Sequence, residues 1–139
     1  MNTFELNVIA TNRTFYSGLC KQIIIPSVDG LMGIMAHHER CVVAMAEGEI
    51  RIQTENDEWI VAVSGVGYAQ VDDNKVVVLV DFAERPEEVD ERMAQQALEE
   101  AQEELRQAQS LLEHHISEAK LARAMARLAF KKKYSHSPR

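Results

Sequence analysis

Hydrophobic and polar residues alternate in short runs over the first part of the chain, and the first of these runs is Phe4-Glu5-Leu6-Asn7-Val8. A period of two is typical of a β-strand that presents one face to a core. Turn-forming pairs, among them Ser17-Gly18 and Asp29-Gly30, separate the runs. Short strands at regular spacing predict an antiparallel sandwich or barrel. The runs lie at residues 4–8, 14–16, 20–25, 31–35, 41–45, 48–53, 58–63, 68–71 and 76–80.

The pattern changes after Pro86, where the hydrophobic period becomes about 3.6 residues, the period of an α-helix. Glycine and proline are absent from Glu87 to Ser137, and Pro138 follows. All six glycines lie upstream: Gly18, Gly30, Gly33, Gly48, Gly65 and Gly67. Residues that favour helices dominate the segment. The sequence therefore predicts a β domain at residues 1–85 and a helical domain at residues 86–139, with helices at about 90–107 and 111–133.

Local signals place the helix ends. Asp90 suits an N-cap, and Ser110 with Glu113 fits a capping box, so we expect the break between the helices near Gln107 to Ser110. One helical face of the first helix carries Met93, Ala94, Ala97, Leu98, Ala101, Leu105 and Ala108. In the second helix, Leu121, Met125 and Leu128 repeat at helical spacing among alanines. Alanine buries little area per residue, which predicts a weakly fixed antiparallel hairpin that could open.

Charge divides the two helices. The segment from Glu87 to Glu104 holds eight acids and one base, whereas Lys120 to Arg139 holds seven bases and no acid. The bases are Lys120, Arg123, Arg127, Lys131, Lys132, Lys133 and Arg139. Opposite charges could pair in the hairpin, although each exposed pair contributes little. The net charge of −7 argues against general binding of nucleic acid.

Apolar runs, cysteines and histidines bear on whether the chain spans a membrane or binds a metal. The sequence has no apolar run of about 20 residues, so we expect no transmembrane segment, and we expect a cytoplasmic protein with Cys20 and Cys41 as thiols. His37, His38 and Glu39 include two residue types that bind zinc, and a small β-barrel metal enzyme that uses them is the alternative function. Adjacent residues on a strand face opposite sides, however, which makes these three residues a poor metal site. His114-His115 suits a solvated turn. Arg123 and Arg127, four residues apart, could hold an anion.

Two glycine motifs resemble signatures of the epsilon subunit of bacterial F-type ATP synthase. The run Asp29-Gly30-Leu31-Met32-Gly33-Ile34-Met35-Ala36-His37-His38 resembles G-x-(L/M)-G-(I/V)-x-x-x-H. The run Val63-Ser64-Gly65-Val66-Gly67-Tyr68-Ala69-Gln70-Val71 is similar to V-S-G-G-x-x-x-V, with Val66 in place of a glycine. Ala36-His37 stands where the family usually has Pro-Gly, and Glu39-Arg40 replaces an apolar-Pro pair. The resemblance spans nearly the whole chain and extends to a final strand ending at Ala83.

This resemblance implies an α+β, mainly β, protein: a ten-stranded antiparallel β-sandwich followed by a two-helix antiparallel hairpin. It implies a non-catalytic rotor subunit of the central stalk, bound to the gamma subunit and the c-ring on the cytoplasmic face of the membrane. The candidate contacts to the c-ring or to gamma are Gly30, Gly33, His38 and Glu39. It further implies that the C-terminal helices enter the catalytic alpha/beta hexamer and inhibit ATP hydrolysis, for which the basic face Lys120, Arg123, Arg127, Lys131, Lys132 and Lys133 is the candidate. A free-standing coiled-coil binding module is a further alternative.

Some members of the family bind ATP in the hairpin through a motif resembling (I/L)-D-x-x-R-A. Here the run is Val89-Asp90-Glu91-Arg92-Met93-Ala94, so Met93 replaces the arginine and Arg92 lies about 100° away around the helix. Glu100 stands where another arginine is expected. Glu84, Asp90, Arg123 and Arg127 match family positions. We therefore expect no bound cofactor, with ATP binding weak or absent.

Overall fold

The computed structural model describes residues 2–135, so Ser137, Pro138 and Arg139 lie outside the described residues. The chain divides into two compact units, Met1–Arg85 and Pro86–Arg139. The first unit contains the strands β1 (Phe4–Ala10), β2 (Arg13–Ser27), β3 (Gly30–Met35), β4 (Cys41–Met45), β5 (Gly48–Thr54), β6 (Trp59–Ser64), β7 (Gly67–Asp72), β8 (Lys75–Val80) and β9 (Ala83–Glu84). The second contains a short 3₁₀ turn (Pro86–Glu88) and the helices α1 (Glu91–Gln107) and α2 (Leu111–Ser135).

Strand β2 is one continuous strand of 15 residues, so the turn predicted at Ser17-Gly18 is wrong. Both residues pair with β1, Ser17 opposite Asn7 and Gly18 opposite Leu6. A Cβ added at Gly18 would come no closer than 3.4 Å to another atom, so nothing there requires a turn. The predicted strands 14–16 and 20–25 therefore merge, and the described residues form nine strands rather than ten.

The first half of β2 pairs with β1, and its second half lies between β3 and β5. On one side the strands follow the order β1-β8-β7-β4-β2, and on the other the order β3-β2-β5-β6-β9. All pairings are antiparallel among the described strands except that of β1 with β8, which is parallel, contrary to the expectation of a wholly antiparallel sandwich. Inward side chains of both groups of strands form one core, which includes Phe4, Leu6, Val8, Ile23, Ile25, Ile34, Ile50, Ile52, Val76 and Val78.

Two glycines of the second motif lie against neighbouring groups, which are side chains at Gly65 and backbone at Gly67. A Cβ added at Gly65 would collide with the Asp81 carboxylate, and one added at Gly67 would collide with the carbonyl oxygen of Leu79. Glycine at these two positions lets the segment after β6 pass against the end of β8. Val66, between them, is exposed and fills the position where the family signature has glycine.

Both predicted helix caps are present. The Asp90 carboxylate accepts a hydrogen bond from the Met93 N–H at 3.1 Å, which starts α1. The Ser110 hydroxyl accepts from the Glu113 N–H at 3.0 Å. The Glu113 carboxylate in turn accepts from the N–H of Gln109, one residue before the cap, at 3.0 Å. These bonds satisfy amide groups that the first helical turn leaves without partners.

The contact between the helices is narrower than the apolar pattern indicates. Ala94 and Ala101 are buried in α1, but Met93 and Ala97, which were predicted on the same face, are exposed. In α2 the buried side chains are Ser117, Ala124 and Phe130, while Met125 is exposed. Small side chains allow close approach of the helix backbones but cover only a narrow seam. Lys120 and Glu104 form an ion pair at 3.2 Å, which shows the helices running antiparallel.

The segment between β3 and β4 is held by the turn between β7 and β8. His37 has a φ of 63°, the left-handed conformation that glycine adopts without strain, so this residue takes the place of the family's glycine at some cost in energy. Its N–H donates to Asn74 Oδ1 at 2.8 Å, and Asn74 Nδ2 donates to the carbonyl oxygen of Thr3 at 3.0 Å. Arg40 pairs with Asp72 at 2.9 Å, an exposed ion pair that adds little.

The two central residues of that turn offer a matched test, since Asp73 and Asn74 have left-handed φ values of 54° and 61°. Asp73→Gly relieves this conformation, and we expect the free energy of unfolding to stay the same or rise by up to about 1 kcal/mol. Asn74→Gly relieves it too but removes two hydrogen bonds, and we expect a decrease of roughly 1–3 kcal/mol. Urea unfolding of both variants measures the difference; equal effects would show that Asn74 does not hold the segment.

Candidate functional site

The contact residues implied by the resemblance lie in the segment from Asp29 to Arg40, whose middle is the strand β3. Gly30 lies at the start of β3 with a φ of 120°, and His38 and Glu39 follow its other end. Six strand residues separate the two ends by roughly 17 Å. The predicted contact residues therefore form two groups at opposite ends of β3, with Gly33 between them.

His38 is half-buried and Glu39 is exposed. His38 Nδ1 lies 2.9 Å from the carbonyl oxygen of Glu39 and 3.9 Å from Cys41 Sγ. Within residues 2–135, no group of three or more His, Cys, Asp or Glu side chains is placed to hold a metal ion. The triad of His37, His38 and Glu39 thus lacks the convergence that a zinc site requires.

The two cysteines are free thiols in different surroundings. Cys20 is fully buried, and burial raises the pKa of its thiol to about 12. It therefore remains protonated at physiological pH and behaves as a small hydrophobic side chain. Cys41 is half-buried at the start of β4.

The sheet formed by β1, β8, β7 and β4 has an apolar outer side that the sequence analysis did not single out. Register places Ile9 beside Leu79, Leu79 beside Tyr68, and Tyr68 beside Ala44, so these side chains form one row. We define the outer apolar face as Ile9, Val42, Ala44, Tyr68, Val77 and Leu79, of which Val42 is 69% exposed and Tyr68 45%. Two polar residues, Asn7 and Gln70, lie beside Val77 on the same side of the sheet. The uninterrupted apolar run of β8 could have predicted this face, because a strand that is apolar on both sides is typically covered on both sides.

The helical unit contains a charged groove of about 290 Å³ between α1 and α2. Its lining is Ala97, Glu100, Ala101, Glu104, Lys120, Arg123, Ala124 and Arg127. The carboxylate of Glu100 therefore lies on the same groove as the two arginines that match the family's nucleotide positions. Arg92 lines a different depression, with Glu91, Gln95, Gln96 and Glu99. Asp90 caps α1, and Glu84 belongs to β9 in the other unit.

The six basic residues of α2 do not share one face. At about 100° per residue, Lys120, Arg123, Arg127 and Lys131 follow one side of the helix, whereas Lys132 and Lys133 turn away from it. On the first side, Lys120 pairs with Glu104, and Lys131 Nζ donates to the carbonyl oxygen of Pro86 at 2.8 Å. Lys132 and Lys133 are exposed. Part of the basic surface is thus engaged inside the folded hairpin.

Both units match known families of ATP synthase domains. The family described as ATP synthase, Delta/Epsilon chain, beta-sandwich domain matches residues 3–86. The family described as ATP synthase, Delta/Epsilon chain, long alpha-helix domain matches residues 87–132. Within the described residues, no helix is both long enough and apolar enough to cross a membrane.

Relatives of known name cover nearly the full length of the chain. The ATP synthase epsilon chain of Ruminiclostridium cellulolyticum is 43% identical over 93% of this chain and 96% of its own length. That of Caldicellulosiruptor saccharolyticus is 38% identical over 92% of this chain and 93% of its own length. A chain in the cryo-EM structure of Euglena gracilis mitochondrial ATP synthase, comprising OSCP, F1 and c-ring, superposes with a TM-score of 0.75 at 25% identity, covering 91% of this chain and 80% of that one.

These similarities extend over both units, and they confirm the resemblance that the two glycine motifs indicated. The nine strands and two helices of residues 2–135 also match the expected combination of a β-sandwich with a helical pair. The chain belongs to the ATP synthase epsilon chain family.

Proposed function

We propose that this chain is a non-catalytic rotor subunit in the central stalk of an F-type ATP synthase, where it couples ion flow to ATP synthesis. The observation that carries the proposal is the family match over both the β unit and the helical unit. The relatives of the chain are epsilon chains, and a similar chain occurs in an assembly described as OSCP, F1 and c-ring. As a peripheral subunit it would lie at the cytoplasmic face of the membrane.

The β unit supplies the assembly contacts in this proposal. The outer apolar face presents Val42 and Tyr68 to solvent in the isolated chain, and an exposed apolar patch on a rigid sheet is typical of a surface that a partner covers. We assign this face to the gamma subunit. The segment carrying Gly30, Gly33, His38 and Glu39 is assigned to the c-ring, with His38 held in place by the bond from its neighbour His37 to Asn74.

The helical unit supplies the regulation. Its buried side chains are small apart from Phe130, and both side chains of the ion pair between Lys120 and Glu104 are about half exposed. Such a pair is screened by salt and contributes little to stability. Opening of the hairpin would release Lys120 and Lys131 and make the basic side of α2 available to the acidic surfaces of the catalytic alpha/beta hexamer. In that position the helix would inhibit ATP hydrolysis.

One reconstitution tests both parts of this proposal. The enzyme is assembled without this chain, with the full chain, and with a chain that ends at Ser110. We expect the preparation without the chain to lose coupling between ion flow and ATP synthesis, and the shortened chain to restore it. We also expect the shortened chain to give faster ATP hydrolysis than the full chain, because α2 is absent. Coupling that does not depend on the chain would refute the rotor role, and equal hydrolysis rates at several salt concentrations would refute inhibition by α2.

A matched pair of proteins tests the expected weakness of ATP binding. The Glu100 carboxylate on the groove of Arg123 and Arg127 repels phosphate. The Met93 side chain, which stands where the family motif has arginine, offers phosphate no hydrogen bond. Each missing charge-assisted bond removes roughly 1.5–3 kcal/mol. In isothermal titration with ATP and Mg²⁺, we expect no micromolar binding by the natural chain and at least tenfold tighter binding, about 1.4 kcal/mol or more, after Met93→Arg with Glu100→Arg. Micromolar binding by the natural chain would contradict this account.

A further inference from the structure

Strand β3 lies at an edge of its sheet and lacks the features that usually protect such an edge. In the part of the chain that the structure describes, β2 is the one strand that pairs with β3, so the other side of β3 has no strand beside it. Proteins usually keep an exposed edge from pairing with another chain by placing lysine, proline or a β-bulge there. β3 contains no charged residue and no proline, and its pairing with β2 runs without a bulge from Gly30 to Met35. A further strand could therefore be added at this edge.

The direction of the backbone groups of β3 follows from Pro26, which lies opposite Leu31 in the pairing with β2. Proline has no N–H, and the carbonyl oxygen of Pro26 accepts from the N–H of Ala46, outside β3, at 3.0 Å. Pro26 and Leu31 therefore form a pair without mutual hydrogen bonds, and Leu31 directs its N–H and C=O away from β2. Bonded and non-bonded pairs alternate along antiparallel strands, so Gly33 and Met35 direct their groups the same way.

These three residues are spaced so that β3 can pair with a second copy of itself. When two copies run antiparallel about a two-fold axis at Gly33, Leu31 of each lies opposite Met35 of the other, and the two glycines face each other. Every pair in this register brings outward-directed N–H and C=O groups together, as a hydrogen-bonded ladder requires. The Met35 carbonyl oxygen already accepts from the His38 N–H at 3.3 Å, and its second lone pair is available to the other copy.

The side chains match in the same register. Leu31 is 78% exposed and Met35 60%, so the pairing places each of these apolar side chains beside one from the other copy. No residue from Gly30 to Ala36 carries a charge, so no like charges meet along the strand. A Cβ added at Gly33 would find no atom within 4 Å, which shows that the chain itself leaves the centre of this face uncovered.

We infer that two copies of the free chain associate through β3 and form one continuous sheet across a two-fold axis at Gly33. Such an isologous pair covers both edges and stops further addition of strands. The interface is small, so the dimer is weak and forms at high concentration. It uses the segment to which the c-ring contacts are assigned, so dimer and assembled subunit exclude each other. The self-pairing itself is a property of the free chain and does not depend on the proposed rotor role.

Two double variants test this register by changing the same two positions. Leu31→Lys with Met35→Lys places like charges opposite each other in the dimer, whereas Leu31→Lys with Met35→Glu places opposite charges there. Both variants remove the same apolar side chains, and both positions are exposed, so we expect both to fold like the natural chain. Sedimentation equilibrium of the full chain is measured from about 10 to 500 µM. We expect the natural chain and the second variant to dimerise, and the first variant to dimerise at least about tenfold more weakly.

Hydrogen exchange then locates the interface within the dimer. The N–H groups of Leu31 and Gly33 point to the open edge, so we expect their exchange to slow as the concentration rises. Met32 and Ile34 direct their groups to β2, so we expect their exchange to stay unchanged. As a control, Val42→Lys adds a charge to the outer apolar face and should leave the dimer as it is.

Several results would overturn the inference. The natural chain would then remain a monomer up to about 500 µM, or the two double variants would dimerise equally. Loss of the dimer in Val42→Lys would place the contact on the outer apolar face instead. Slower exchange at Leu31 and Gly33 only after addition of phosphatidylglycerol vesicles, or of a detergent-solubilised rotor, would assign the edge to lipid or to the rotor and not to a second copy.

Discussion

The backbone ladder of β2 is the constraint on which the rest of the β unit depends. Its first half bonds to β1 and its second half to both β3 and β5, so one strand joins the two groups of strands that enclose the core. Ile23 and Ile25 of this strand are fully buried between them. Because β3 pairs with the second half of β2, these hydrogen bonds also determine the position of the segment from Gly30 to His38. A rigid sheet that presents short loops is a suitable platform for assembly.

The helical unit has a different physical basis. Local caps at Asp90 and Ser110 fix where its helices begin. The side chains buried along the helices are mostly small, Ala94, Ala101, Ser117 and Ala124, with Phe130 as the large exception, and the ion pair of Lys120 with Glu104 is exposed. Little apolar area is buried per residue, so this unit is held less firmly than the β core. Lys120 and Lys131 bond within the folded hairpin and also belong to the basic side of α2. They therefore cannot hold the hairpin closed and bind an acidic partner at the same time.

Features set by neighbours in sequence could be predicted, and features set by distant neighbours could not. The N-cap of Asp90 and the hairpin turn before Lys75 follow from local chemistry, and the structure has both. Ser17-Gly18 has turn propensity, yet pairing with β1 keeps it extended. The parallel pairing of β1 with β8 joins residues about 70 positions apart and leaves no local signal. Periodicity predicts that Met93 and Ala97 share the apolar face of α1, but it does not determine how much of that face α2 covers.

Native-state hydrogen exchange on the full chain tests most directly the claim that a firmly held platform carries a weakly held regulatory hairpin. We predict that the amides of Ile23 and Ile25 exchange only through global unfolding of the β unit. We predict that amides in the middle of α1 and α2 exchange through an opening whose free energy is lower by roughly 2 kcal/mol or more. Equal opening free energies for β2 and the two helices would contradict the account, because the hairpin would then be as firmly held as the sandwich.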